Sequence, residues 1–290
     1  MSTDQQPPSS SIDYQTLTRE RWDERAPIHA SSPTYNLAHL IASPTALSDA
    51  LTFDLPRLPP LAGKSIAHLQ CHIGSDALSL ARLGAQRVVG LDFSGASVRE
   101  ARALAGKAAG GERCEFVEGD VYDSVELLGE RAFDVVFVNV GSLAWLPDVR
   151  RWARVVAGLM RSGGGEFFMR EVHPSLLAVE GGEGGRLAVE YSYFEVVEPV
   201  VTDSSWTYVK TEEGGEVPKV RKCVEWNHGL GEIVSALLGE GLRITMLVEH
   251  RSVPYEAVRG HMVEIGGGEW ALKEGRDRLP LSFTLRAVKD

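Results

Sequence analysis

Two aspartates and one interrupted glycine loop are the residues of this sequence best suited to chemistry. Asp92 closes a short apolar run over 88–91, and Asp120 closes another over 114–117. A carboxylate at the end of the second strand of a doubly wound sheet is placed to accept hydrogen bonds from ribose hydroxyls. One at the end of the third strand can accept from an exocyclic adenine amine. The first run leads into the loop Leu69-Gln70-Cys71-His72-Ile73-Gly74-Ser75, and a fourth ends at Asn139-Val140-Gly141. Either aspartate alone reads equally well as a loop or helix-capping residue. Four such groups at four successive strand ends point to a nucleoside-binding site.

These groups need a sheet to position them. Strands are expected over 65–69, 88–91, 114–117, 135–138 and 166–172, near-continuous apolar runs of the kind found in a parallel sheet buried on both faces. Helical patterns lie between them. Ser75 is placed to cap a helix carrying Ala77, Leu78 and Ala81, and Ser94 one carrying Val98, Ala101, Ala105 and Ala108. Pro147 suits the first position of a helix carrying Val149, Trp152, Val156 and Leu159. Repeated β-α-β order with right-handed crossovers gives a doubly wound α/β sheet. After His173 the pattern changes. Alternating segments over 191–197, 206–210 and 220–226 read as antiparallel strands of a cap inserted at about 174–226. The core resumes with a helix through Leu230, Ile233, Val234 and Leu237, then strands through Leu242, Ile244 and Met246 and through Leu281, Phe283 and Leu285.

Composition narrows the function classes. At 290 residues the chain can hold one large α/β domain with an elaborated cap. Its net charge of −10 argues against a nucleic-acid partner, because a phosphate backbone calls for a basic stripe. Arg150, Arg151 and Arg154 cluster on one helix and read as its solvated face. No window approaches the run of about 20 apolar residues that a membrane span needs. Polar residues 1–12 read as a disordered tail and not as a signal peptide. Cys71, Cys114 and Cys223 are widely spaced and odd in number, so neither a disulfide framework nor a zinc site is expected. The expected state is cytoplasmic, monomer or homodimer, with no metal.

The run Leu69-Gln70-Cys71-His72-Ile73-Gly74-Ser75-Asp76, the strand end at Asp92, Gly119-Asp120 and Phe133-Asp134-Val135-Val136 resemble the motifs of class I S-adenosylmethionine-dependent methyltransferases. Trp145-Leu146-Pro147-Asp148 and Glu225-Trp226-Asn227-His228 look like a small-molecule, type-11-like branch. The resemblance implies a seven-stranded Rossmann-like sheet whose last strand is antiparallel. It implies Asp92, with Phe93 beside it, at the ribose; Asp120 with Val121 at the adenine; and Asn139-Val140 behind the methionine moiety. It also implies an N-terminal helical lid over residues 13–60 that brings Tyr14 and Trp22 to the cofactor, with Arg19 and Arg25 nearby. The methyltransferase domain would span 61–290. The loop departs from the family's D-x-G-x-G-x-G run. Gln70 and His72 stand where two glycines are expected, His68 where the acidic residue is, and only Gly74 remains. Side chains at Gln70 and His72 would crowd a pyrophosphate, whereas S-adenosylmethionine has none.

Methyl transfer from a sulfonium depends mainly on holding the reacting atoms in line. For a hydroxyl acceptor a neutral-range base helps, and His173 and His228 are the candidates. His173 reads equally as a loop residue before Pro174, and His228 as a helix-capping residue. Trp145, Tyr191, Tyr193 and Trp226 can line an acceptor pocket or belong to the core. Gln70 can bond the cofactor's amino-acid end, and His72 can be a turn residue bonded to backbone. Cys71 lacks a base partner and reads as a small buried apolar group. The expected activity is S-adenosylmethionine-dependent methylation of O, N or S of a small molecule. The alternatives are an NAD-dependent oxidoreductase and a non-catalytic S-adenosylmethionine sensor.

Overall fold

The computed structural model describes residues 13–182, 186–210 and 218–290, so the tail expected over 1–12 lies outside the described residues. Three helices precede the sheet: α1 (Tyr14–Ser31), α2 (Leu37–Ala42) and α3 (Asp49–Asp54). The alternation then begins with β1 (Ser65–Leu69), α4 (Ser75–Arg82), β2 (Arg87–Asp92), α5 (Gly95–Ala105) and β3 (Cys114–Glu118). It continues through α6 (Ser124–Leu128), β4 (Val135–Val138), α7 (Val149–Leu159) and β5 (Gly165–Val172). A short α8 (Pro174–Leu177) leads into two hairpins, β6 (Val179–Gly181) with β7 (Leu187–Val189) and β8 (Val200–Asp203) with β9 (Lys222–Glu225). The chain closes with α9 (Leu230–Gly239), β10 (Leu242–His250), the hairpin β11 (Met262–Gly266) and β12 (Glu269–Leu272), and β13 (Ser282–Lys289).

The main sheet has the order β10-β13-β5-β4-β1-β2-β3, with β13 antiparallel to both neighbours and the other pairs parallel. This is the seven-stranded, doubly wound, Rossmann-like arrangement expected, last strand included. Strand order reverses between β1 and β4, which places the crevice above their carboxyl ends. The apolar runs are continuous because both faces are buried. Ala67, Leu69, Val136, Val138, Phe167 and Met169 feed one core layer around Trp152. Ile66, Val135, Phe137 and Phe168 feed the other, against α4 and α5. Period-2 alternation thus survives as a choice between two dry faces.

The local helix signals agree with the structure except for two shifts. Ser94 does cap α5, its side chain accepting from Ser97 N. Ser75 does not cap α4 but occupies its first turn; the cap is Gly74, at φ +77°. A Cβ on Gly74 would lie 2.8 Å from Ala101 Cβ and 2.9 Å from Phe116 Cζ, so only glycine fits that turn. Pro147 precedes α7, whose cap is Asp148 accepting from Arg151 N. The insertions depart further. Residues 191–197 and 206–210 are irregular and not strands; of the three expected segments only 220–226 contains one, β9. The hairpin β11–β12 and its flanks form a second insertion, between β10 and β13, that periodicity did not reveal.

Candidate active site

The crevice at the reversal point opens into a cavity of about 450 Å³. Its floor comes from strand ends: Gln70 after β1, Asp92 at the end of β2, Asn139 and Val140 after β4, and Glu171 one residue before the end of β5. A smaller recess of about 40 Å³ adjoins it, lined by Tyr14, Asp120 and Val121 among others. Gln70, Phe93 and Trp145 border both spaces. The groups read from four strand ends therefore meet along one cleft.

The β1 loop keeps a glycine-type backbone without its glycines. Gln70 sits at φ +54° and His72 at φ +49°. Such conformations cost a side-chain-bearing residue roughly 1–2 kcal/mol, so something must hold them. The Gln70 Nε2 donates to Ser142 O at 2.8 Å, which leaves its Oε1 buried without a partner. His72 N donates to Asp92 Oδ2 (2.8 Å), and its ring bridges Ser97 Oγ (3.2 Å) and His29 Nδ1 (2.9 Å). Burial pushes His72 down to about 3 and His29 well below the usual imidazole range, so both rings are neutral and one donates to the other. Trp22 packs edge-on against His72 (5.0 Å) and Trp145 (5.3 Å), which brings α1 onto the loop.

Asp92 accepts one backbone N–H per oxygen, from His72 and from Ser94 (3.0 Å). Burial lifts its carboxyl to about 6 despite those bonds. A carboxylate this short of donors has capacity for two hydroxyls. Asp120 accepts from Tyr122 N (2.8 Å) and from Gln15 Nε2 (3.1 Å) of α1. Asn139 donates to Asp76 Oδ2 at 2.6 Å, and Asp76 also accepts from Ser48 Oγ. Glu171 accepts from the amides of Gly141, Ser142, Leu143 and Val172, fixing the loop after β4, while burial raises its carboxyl.

Helix α1 ties this floor to the cap. Asp23 accepts from Ser94 Oγ and Ala96 N of the core. On the cap side, Glu24 accepts from Lys219 N and Val220 N. Arg21 donates to the carbonyls of Ser204 and Arg221, and Arg25 to those of Val220 and Trp206.

Several expected residues do not reach the cleft. His173 caps α8: Ser175 N donates to its Nδ1, and its Nε2 lies 2.9 Å from Glu249 Oε1. His228 points its ring nitrogens at Glu195 Oε2 and Leu146 O, each at 2.7 Å, both acceptors. Neither borders the cavity, so neither is placed as its base. Tyr191 faces outward toward Glu180, and Tyr193 accepts from Leu230 N at the foot of α9. Trp226 is buried behind the wall, edge-on to Tyr14 at 5.0 Å, its backbone N–H donating to Ala144 O. Gly74 serves the α4 turn and not the cavity. Trp145 does border it.

Sequence reading missed Asp76, Glu171 and Glu225, and the aromatic wall of Trp206, Tyr208 and Tyr255. Glu171 left a signal, a lone carboxylate inside an apolar strand. The aromatic residues left none, since their segments are irregular.

Residues 66–164 match the family profile described as a methyltransferase domain. Over that stretch the chain is similar to a methyltransferase domain, and its sheet has the Rossmann-like methyltransferase fold. Solved structures of similar fold include a putative S-adenosylmethionine-dependent methyltransferase from Listeria monocytogenes (17% identity, 83% of this chain and 97% of that one, TM-score 0.59). Another is an S-adenosylmethionine-dependent methyltransferase from Mesorhizobium loti (21% identity, 83% and 98%, TM-score 0.58). A third is the glycopeptide N-methyltransferase MtfA in complex with S-adenosylmethionine (15% identity, 84% and 95%, TM-score 0.53). At these identities the likeness to the methyltransferase domain is one of fold. No curated protein matches the sequence. No described helix is long and apolar enough to cross a membrane.

Proposed function

We propose that the chain transfers a methyl group from S-adenosylmethionine to O, N or S of a small molecule held under the cap. The observation that carries this is the continuity of the cleft, with Asp120 in the recess, Asp92 and Gln70 at its mouth, and Asn139 beyond. The residues fit the cofactor's chemistry in sequence. Asp120 and Val121 take the adenine, Asp92 the ribose hydroxyls, and the orphaned Gln70 Oε1 an ammonium donor. Bound there, the sulfonium supplies an electrophilic methyl group. Asn139 and Val140 line the cavity next to the loop that Glu171 holds rigid.

The chain's own task is positioning. Reactants held in line gain about 7–11 kcal/mol over free encounter. Helix α1, with Tyr14 and Trp22, acts as the cover that excludes water from the cleft. The room between Asn139 and the cap wall favours turnover over a sensor that has lost its acceptor. Side chains on the β1 loop leave little exposed backbone for a pyrophosphate, which disfavours NAD. Isothermal titration with S-adenosylhomocysteine and NAD in parallel tests the reading. Binding of the first and not the second is expected; the reverse would overturn it.

A further inference from the structure

Resting on that reading, we infer that the acceptor is an amine, seated as an ammonium group between Glu225 and the aromatic wall of the cap. The backbone N–H of Trp226 donates to Ala144 O, which pins the end of β9 to the loop after β4. Glu225, the residue before it, borders the cavity, with the weak Cys223 thiol beside it and the Arg21 guanidinium near enough to favour its charged form. Burial raises its carboxyl, as expected of a carboxylate lacking strong donors. Lining the same cavity is a run of rings: Tyr208 lies 5.6 Å from Tyr255, and Trp206 lies 6.4 Å from Tyr255. A carboxylate beside aromatic faces is the pairing that stabilises an organic cation.

The balance of charge agrees. Five carboxylates border the cavity (Asp49, Asp76, Asp92, Glu171 and Glu225) against two cations, Arg21 and Arg25. Both guanidiniums are occupied by cap carbonyls. Glu171 is spent on four amides, and Asp76 on Ser48 and Asn139. Asp49 is exposed at the start of α3, so Glu225 is the enclosed carboxylate left for the acceptor once Asp92 holds the ribose. It can also take the proton: the ammonium N–H bond breaks, the Glu225 oxygen gains the proton, and the nitrogen keeps the electron pair. That lone pair then forms the bond to the methyl carbon as the carbon–sulfur bond breaks, its electrons remaining on sulfur.

The test uses the full chain saturated with S-adenosylhomocysteine. Phenylethyl and indolylethyl probes, each ending in an ammonium, a hydroxyl or a carboxylate, are titrated by calorimetry. The ammonium probes should bind about tenfold tighter than the matched alcohols, the size of one charge-assisted hydrogen bond, and the carboxylates weakest. Glu225→Gln should erase that preference, and Glu225→Asp should restore part of it. Alcohols binding as well as amines, absence of binding by every probe, or an amine preference that survives Glu225→Gln would overturn the inference. Saturation with S-adenosylhomocysteine is itself measured first. Its failure would sink the methyltransferase reading, whereas cofactor binding without amine preference sinks only this one.

Discussion

Replacing Gln70 and His72 by glycine, one at a time, should give sharply different stabilities although both sit at glycine-type backbone angles. Each change relieves about 1–2 kcal/mol of left-handed strain and costs roughly 0.4–1 kcal/mol through the freer unfolded chain. Those contributions leave a gain of up to about 1 kcal/mol that both variants share, so it drops out of the comparison between them. At Gln70 the variant loses one bond, to Ser142 O, but also removes a buried, unpartnered Oε1. At about 1 kcal/mol for each effect the net change is close to zero. At His72 the variant loses both ring bonds and strands two fully buried partners, Ser97 and His29. With about 1–3 kcal/mol for each stranded group, His72→Gly should lower stability by about 3 kcal/mol. Urea unfolding of the cofactor-free chain at pH 7.5, with unchanged slope, measures both. A difference below about 1 kcal/mol between the variants would refute the account of what holds this loop.

Asp92→Asn should weaken S-adenosylhomocysteine by at least about tenfold, because bonds to a charged acceptor are worth about 1.5–3 kcal/mol each; unchanged affinity by calorimetry would remove Asp92 from the ribose. With its carboxyl lifted to about 6, parent affinity should fall as pH drops through that value, while the variant's stays flat. Arg170 and Glu269 form a fully buried bidentate pair at 2.9 and 2.8 Å, and Arg170→Met should cost about 3–5 kcal/mol by stranding the carboxylate; thermal unfolding within about 2 °C of the parent would contradict this. Burial holds His68 down to about 3, below its usual 6.5, so its contribution to stability is present above pH 6.5 and lost as pH falls toward 3. His68→Leu should therefore gain on the parent by about 1 kcal/mol between pH 6.5 and 5.5 in urea unfolding, and an equal acid dependence would refute it.

The core was legible because its signals are short-range and redundant. An apolar run such as Val135–Val138 has one reading once helical patterns flank it, and a carboxylate at its neighbour's end falls into register without any knowledge of contacts. The helix starts shift by one position at α4 and two at α7 for a physical reason. Gly74 and Asp148 do the capping, and each adjoins a residue, Ser75 or Pro147, that favours the same turn. The cap was not legible. Its segments over 191–197 and 206–210 are held by α1 and by side-chain bonds to distant backbone, as where Ser32 Oγ donates to Lys210 O, and not by any periodic face. Aromatic residues there mimic strand alternation without a partner strand.

The same distinction explains which site residues could be read. Asp92 and Asp120 are fixed by the strands that carry them, so position in the chain predicts position in the cleft. His173 follows a core strand and His228 precedes a core helix, yet each is drawn aside by a neighbour: His173 by Ser175 and Glu249, His228 by Glu195 and Leu146 O. Residue type alone cannot separate a histidine that lines a cavity from one that braces its wall. Glu225 illustrates the converse. It stands one residue before Trp226, and strand alternation turns the two side chains apart, the indole into the wall and the carboxylate into the cavity. The sequence signal was the stretch Glu225-Trp226-Asn227-His228; choosing its chemically active member required the register of β9 against β8, in which Glu225 pairs with Val200.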